Sequence, residues 1–144
     1  SGPLKEEIER AAAGLERVTF TGFLQPEALP PLYALSDIFV LPSHAEPWGV
    51  VVNEALACGL PVIASDQVGA ARDLVHPGES GTLFPCGDVS ALAEAMEAYL
   101  EDRRRAERMR PRTIEIVRDW GYPLKIRSLK AAVATVLAPP PPHS

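Results

Sequence analysis

Apolar positions along the chain change period several times, and each change marks an element. "PLKEEIERAAAGL" (3–15) repeats apolar residues at helical spacing and runs out near Gly14. "RVTFTG" (17–22) is β-branched and aromatic and ends on glycine, which predicts a short strand over 18–22. "QPEALPPLYALSD" (25–37) predicts a short helix whose entry Pro30 and Pro31 constrain. The continuous apolar runs "DIFVLP" (37–42) and "PVIAS" (61–65) have the pattern of parallel strands buried on both faces. "VVVNEALAC" between them predicts a helix stopped by Gly59, with Pro61 just beyond the stop.

Residues 66–81, "DQVGAARDLVHPGESG", predict a loop with one helical turn, followed by a short strand at "GTLFP" (81–85). Asp88 or Ser90 then caps a helix over 90–102, with Leu92, Ala95, Met96, Tyr99 and Leu100 on one apolar face. Pro111 divides the arginine-rich helix that follows, and 122–138 is the last helix. Four strands (18–22, 37–41, 61–65, 82–84) separated by helices give an α/β fold with a parallel sheet. Residues 1–138 form one domain, and the proline-rich 139–144 is a disordered tail.

Composition narrows the function classes. At 144 residues, with 47% hydrophobic and 23% charged residues, the chain suits an ordinary globular domain with a proper core. No apolar run is long enough for a membrane span, and no leader opens the sequence, so a cytoplasmic setting is expected. Cys58 and Cys86 lack metal-ligand spacing, and His44, His76 and His143 are scattered, so neither a disulfide framework nor a zinc site is expected.

Charge is uneven. Residues 1–100 hold four Lys/Arg against fourteen Asp/Glu, whereas 101–130 hold ten against five. No nucleic-acid partner is expected of so acidic a body. The basic segment with Arg103, Arg104, Arg105, Arg108 and Arg110 offers a peripheral membrane contact, although the interleaved acids equally describe a solvated helix face.

The candidate chemistry lies in "PSHAEPWGVVVNEALACGLPV" (42–62). Pro42 and Ser43 end a strand, so the following loop sits on the rim where parallel α/β sheets bind ligands. The helix beginning near Val50 points its N-terminus there. The free amides of Gly49, Val50 and Val51, reinforced by the helix dipole, would hold an anion. Glu46 lies before them and Glu54 four residues beyond Val50, ~6 Å along the axis on the same face. Carboxylates only accept hydrogen bonds, so they suit hydroxyl groups rather than a phosphate. An anion site with a polyol contact on either side describes a nucleoside diphosphate sugar. From the residues alone, alternatives stay open: an exposed loop Glu46, a packing Trp48, a solvated Glu54. A glycosidase pair at Glu46 and Glu54 is a further alternative, but it gives no use to the anion-binding helix start.

These residues resemble the Glu-x7-Glu motif of the retaining GT-B glycosyltransferases of group 1 (family 4). "EPWGVVVNEA" and "ACGLPVIAS" carry the resemblance, with "VTFTGF", "LYALSDIFVLPS", "VGAARDLV" and "GESGTLFPCGD" in the family's order. The resemblance implies that Glu46, Trp48 and Gly49 hold the donor sugar and that Gly49, Val50 and Val51 hold the diphosphate. It implies Glu54 on the ribose and the backbone of Phe23 and Leu24 on the base. Gly69 and Ala70 fall at the family's Gly-Gly place.

The implied reaction is retaining transfer of a sugar to an acceptor hydroxyl, with no cofactor and no essential metal. The resemblance implies a partial Rossmann-like parallel sheet flanked by helices, from the C-terminal domain of a GT-B fold; the family's sheet order, 3-2-1-4-5-6, would make the four strands here its third to sixth. The acceptor domain and first strands would precede residue 1, so this chain alone is expected to be inactive. A non-catalytic sugar-nucleotide-binding module, or one subunit of a split enzyme, is the alternative. Without the central strands, residues 18–22 are expected either to pair beside 37–41 or to leave two unpaired strand edges and a bare apolar face around Phe39, Val40 and Leu41, open to association.

Overall fold

A computed structural model describes residues 2–118, together with Trp120, Ile126, Leu129 and Lys130. The helix expected over 122–138 and the tail 139–144 lie largely or wholly outside the described residues. Helix α1 (Lys5–Ala11) is followed by irregular chain, a 3-10 turn (Pro26–Ala28) and α2 (Leu29–Leu35). Then come β1 (Phe39–Leu41), α3 (Val50–Ala57), β2 (Val62–Ser65), α4 (Gly69–Leu74), β3 (Gly81–Phe84), α5 (Val89–Glu101) and α6 (Arg105–Arg118). The three strands form one parallel sheet in the order β1-β2-β3.

The continuous apolar run of β2 is buried on both faces, as its composition requires. Val62 and Ala64 point into a core with Val52, Leu56, Ala71 and Leu74 from α3 and α4. Ile63 points the opposite way, against Phe84 of β3 and Ala95 and Tyr99 of α5. Helix α6 serves both layers, Ile116 joining the first cluster and Met109 the second. Gly81 lets β3 lie against β2: a Cβ there would stand 1.9 Å from the Val62 carbonyl oxygen.

Four expectations change. The run 17–22 is not a strand; Val18 and Phe20 are exposed, and among the described residues no ladder joins 18–22 to β1, which pairs only with β2. A strand needs a neighbour to take its hydrogen bonds, and the edge of β1 is not used. The sheet therefore has three strands, not four. Secondly, Phe39, Val40 and Leu41 are not left bare; each is half-buried against one of the two clusters. Thirdly, the single turn expected within 66–80 is the six-residue helix α4. Fourthly, Pro111 lies inside a continuous α6. Burial of Met109, Thr113 and Ile116 on either side outweighs the backbone hydrogen bond that proline removes.

Other signals hold their places. Gly59 follows the end of α3 with φ +85°, and a Cβ there would meet the Arg110 side chain at 2.7 Å. Asp88, rather than Ser90, caps α5: its carboxylate accepts from the Ala91 amide at 2.9 Å. Met96 and Leu100, expected in the apolar face of α5, are exposed. Among the described residues no helix is long and apolar enough to cross a membrane.

Candidate functional site

The carboxyl ends of the three strands converge on one rim. Ser43 and His44 leave β1, Asp66 leaves β2, and Cys86 leaves β3. The buried Ser65 hydroxyl donates to the Ser43 carbonyl, and the Cys86 amide donates to Asp66 Oδ1 at 3.1 Å. Cys86 Sγ lies 3.2 Å from His44 Nδ1, so a cysteine and a histidine isolated in sequence are neighbours in space.

The loop 44–49 is fixed from below by the loop after β2. The Glu46 amide donates to the Gln67 carbonyl (3.3 Å), Gly69 to Glu46 (3.0 Å) and Ala70 to Trp48 (2.7 Å). Gly69 permits this seam, since a Cβ there would come within 2.1 Å of the Pro47 carbonyl oxygen. The close approach belongs to Gly69, while Ala70 buries its methyl completely in the core. Alanine at the second position of "GA" is therefore compatible with the packing.

Gly49 is the N-cap of α3 with φ +87°, a conformation that side chains rarely adopt. Its carbonyl accepts from Val52 (2.9 Å), whereas the amides of Gly49, Val50 and Val51 donate to no acceptor among the described residues. These are the orphan donors of a helix start. Val50 is exposed, Val51 half-buried and Val52 fully buried, so the run anchors the helix on one side and leaves its start open on the other.

Glu46 stands at this start, Glu54 lies one turn into the helix, and each carboxylate is held by the chain. Glu46 Oε1 accepts from the Trp48 amide at 3.3 Å. Glu54 Oε2 accepts from the Tyr33 hydroxyl at 3.1 Å. Trp48 donates its indole N–H to Asn53 Oδ1 (3.1 Å) and lies 5.6 Å from Trp120, ring to ring. Glu46, Trp48 and Gly49 thus meet at the start of α3 formed by Val50 and Val51, and Glu54 stands one turn further along the helix, held from α2. Phe23 is exposed and Leu24 half-buried in the chain leading to α2, and no hydrogen bond among the described residues ties them to α3.

Sequence reasoning missed Tyr33 and Asn53. A signal for Tyr33 existed: a tyrosine within "PLYAL" is a core residue, and a buried tyrosine hydroxyl seeks a partner. Burial, and next the Glu54 carboxylate beside it, push the Tyr33 phenol up to about 12. The folded state holds that proton more tightly than the unfolded chain. The associated stability is therefore complete below pH 10 and declines between about 10 and 12, by on the order of 2 kcal/mol. Urea unfolding across this range should show a steeper loss in the wild type than in Tyr33→Phe; equal slopes would contradict the coupling.

The arginine-rich segment is largely engaged. Arg108 pairs with Asp102, Arg105 lies over the Tyr99 ring at 4.9 Å, and the Arg110 stem packs at Gly59. A cleft of about 400 Å³ lies at the amino ends of the strands, with Asp37, Leu60, Arg103 and Arg110 among its walls. It is remote from the rim and holds none of the expected site residues.

The model of the family "Glycosyl transferases group 1" matches residues 1–116. The chain belongs to this family. Among curated relatives, the sulfoquinovosyl transferase of Arabidopsis thaliana is 40% identical over 109 residues, 74% of this chain and 21% of that protein. The D-inositol 3-phosphate glycosyltransferase of Geodermatophilus obscurus is 41% identical over 100 residues, 67% of this chain and 22% of the relative.

Solved group 1 and related GT-B structures show the same architecture. Sucrose-phosphate synthase from Thermosynechococcus elongatus superposes with a TM-score of 0.77 at 34% identity, covering 92% of this chain and 34% of that one. Anabaena HepE in complex with UDP and glucose gives 0.76 at 30%, covering 92% and 36%. The chain spans about a fifth to a third of the length of the curated relatives it matches.

Proposed function

We propose that this chain is the donor-binding part of a retaining glycosyltransferase that moves a sugar from a nucleoside diphosphate to an acceptor hydroxyl. The observation that carries the reading is the start of α3 on the carboxyl rim of the sheet, where three amides find no acceptor among the described residues, Glu46 precedes them and Glu54 follows one turn along the helix. Diphosphate charge suits the amides and the helix dipole. Hydroxyl donors suit Glu46 on the sugar side and Glu54 on the ribose side. Phe23 and Leu24 would meet the base through their backbone. The solved HepE complexes with UDP and with UDP-glucose support this class of ligand.

In this reading the anomeric carbon–oxygen bond to the diphosphate breaks, and a bond to the acceptor oxygen forms with the configuration retained. The acceptor's proton and the acceptor itself are handled by residues outside the chain, as its share of its relatives' length accommodates. The chain alone is accordingly inactive in transfer. The same geometry serves one subunit of a split enzyme, and reconstitution of transfer by a separately encoded first half would identify that arrangement.

The helix start takes the role that a divalent metal fills in other phosphate chemistry. The complete enzyme should keep most of its activity in excess chelator. Loss restored by magnesium or manganese would contradict this part of the reading.

A further inference from the structure

We propose that Tyr33 is a positioning residue for the nucleotide site, its hydroxyl holding the Glu54 carboxylate in the orientation that receives the ribose. This rests on the reading of Glu54 as the ribose ligand.

Tyr33 comes from α2, before β1, and Glu54 from α3, after it; both helices pack in one cluster on the same face of the sheet. Its ring is buried and meets Phe39 of β1 edge-on, with centroids 5.8 Å apart at 79°. A stiff aromatic side chain pinned at its ring fixes where its hydroxyl stands. That hydroxyl gives the Glu54 side chain its one hydrogen bond among the described residues, at 3.1 Å.

The chemistry of the pair sets the roles. A carboxylate only accepts, so the tyrosine must donate. The raised phenol pKa keeps it protonated, and a donor, across the ordinary pH range. Glutamate has three rotatable bonds, and a free carboxylate loses that freedom when a ligand binds. Anchoring one oxygen beforehand transfers the loss to folding. About four lone-pair directions belong to a carboxylate, so one bond to Tyr33 leaves acceptors for a vicinal diol.

The test compares ribose recognition in the whole chain. UDP and GDP are titrated beside their 2′,3′-dideoxy counterparts, with tryptophan emission and amide NMR as readouts, in the wild type, Tyr33→Phe and Glu54→Gln. Phenylalanine keeps the ring and removes only the hydroxyl. Affinity for the ribonucleotide should fall about three- to tenfold in Tyr33→Phe, the fold-change of one hydrogen bond. Dideoxynucleotide affinity and thermal midpoint should stay nearly constant.

A full ribose preference in Tyr33→Phe, with the preference lost in Glu54→Gln, would overturn the positioning role and leave the ribose reading standing. Equal losses for both nucleotides, accompanied by a lowered midpoint, would make Tyr33 merely structural. No ribose preference in the wild type, or its survival in Glu54→Gln, would remove the ribose reading itself and this proposal with it.

Discussion

Gly69→Ala should destabilise the chain by about 3 kcal/mol, the upper end of what overpacking costs, and should weaken nucleotide binding beyond detection. The new methyl would sit 2.1 Å from the Pro47 carbonyl oxygen and 3.3 Å from Trp48 Cα, both backbone atoms with no flexible end to turn aside. Separating the two segments would stretch the Gly69–Glu46 and Ala70–Trp48 hydrogen bonds, which lie on either side of the contact. Those bonds carry the loop that ends in Gly49, so the site is lost together with the stability. Urea unfolding measures the first effect. The chain's two tryptophans lie 5.6 Å apart at this loop, so native-state emission reports the second. A variant with wild-type stability would show that the loop can yield and that the seam does not fix the site.

The elements read correctly are those whose signal is local. The runs at Phe39–Leu41, Val62–Ser65 and Gly81–Phe84 need only be apolar and short. Gly59 and Asp88 act within one turn of the helices they bound. What was illegible depends on neighbours. "RVTFTG" has strand composition but no adjacent strand, and α4 forms although only six residues long, its first amides tied to the 46–48 loop. Pro111 continues a helix because α6 is packed on both sides of it.

The candidate site shows the same division. Glu46, Gly49 and Glu54 share one short stretch of sequence, whereas the seam to Gln67, Gly69 and Ala70 that fixes Glu46 and Trp48 does not show in it. Tyr33 reaches Glu54 across 21 residues, and Cys86 reaches His44 across 42. Both meetings follow from the parallel topology, which gathers strand ends and brings Tyr33 of α2 to Glu54 of α3; spacing in sequence carries no trace of either.

Glu54→Gln should weaken nucleotide affinity by about 1–3 kcal/mol, the range of a hydrogen bond to a charged group, with little change in thermal stability. Glutamine keeps an oxygen able to accept from the Tyr33 hydroxyl, so the buried phenol remains satisfied. The charge that would strengthen bonds to a ribose in the proposed site is removed. Glu54→Ala gives the contrast: it leaves the Tyr33 hydroxyl without its acceptor and should cost about 1–3 kcal/mol of folding stability as well. If both variants lost stability equally and neither changed affinity beyond that loss, Glu54 would be a structural residue.

We place the donor site at the start of α3, with Glu46 before it and Glu54 one turn beyond. An amide NMR titration of the whole chain with UDP-glucose and GDP-mannose tests this placement most directly, because it registers even millimolar binding. The largest saturable shifts should fall at Gly49, Val50 and Val51 and at the Trp48 indole, and UMP, lacking the second phosphate, should bind more weakly. Saturable shifts centred instead on the cleft walled by Asp37 and Arg103, or no saturable shift at all, would contradict it.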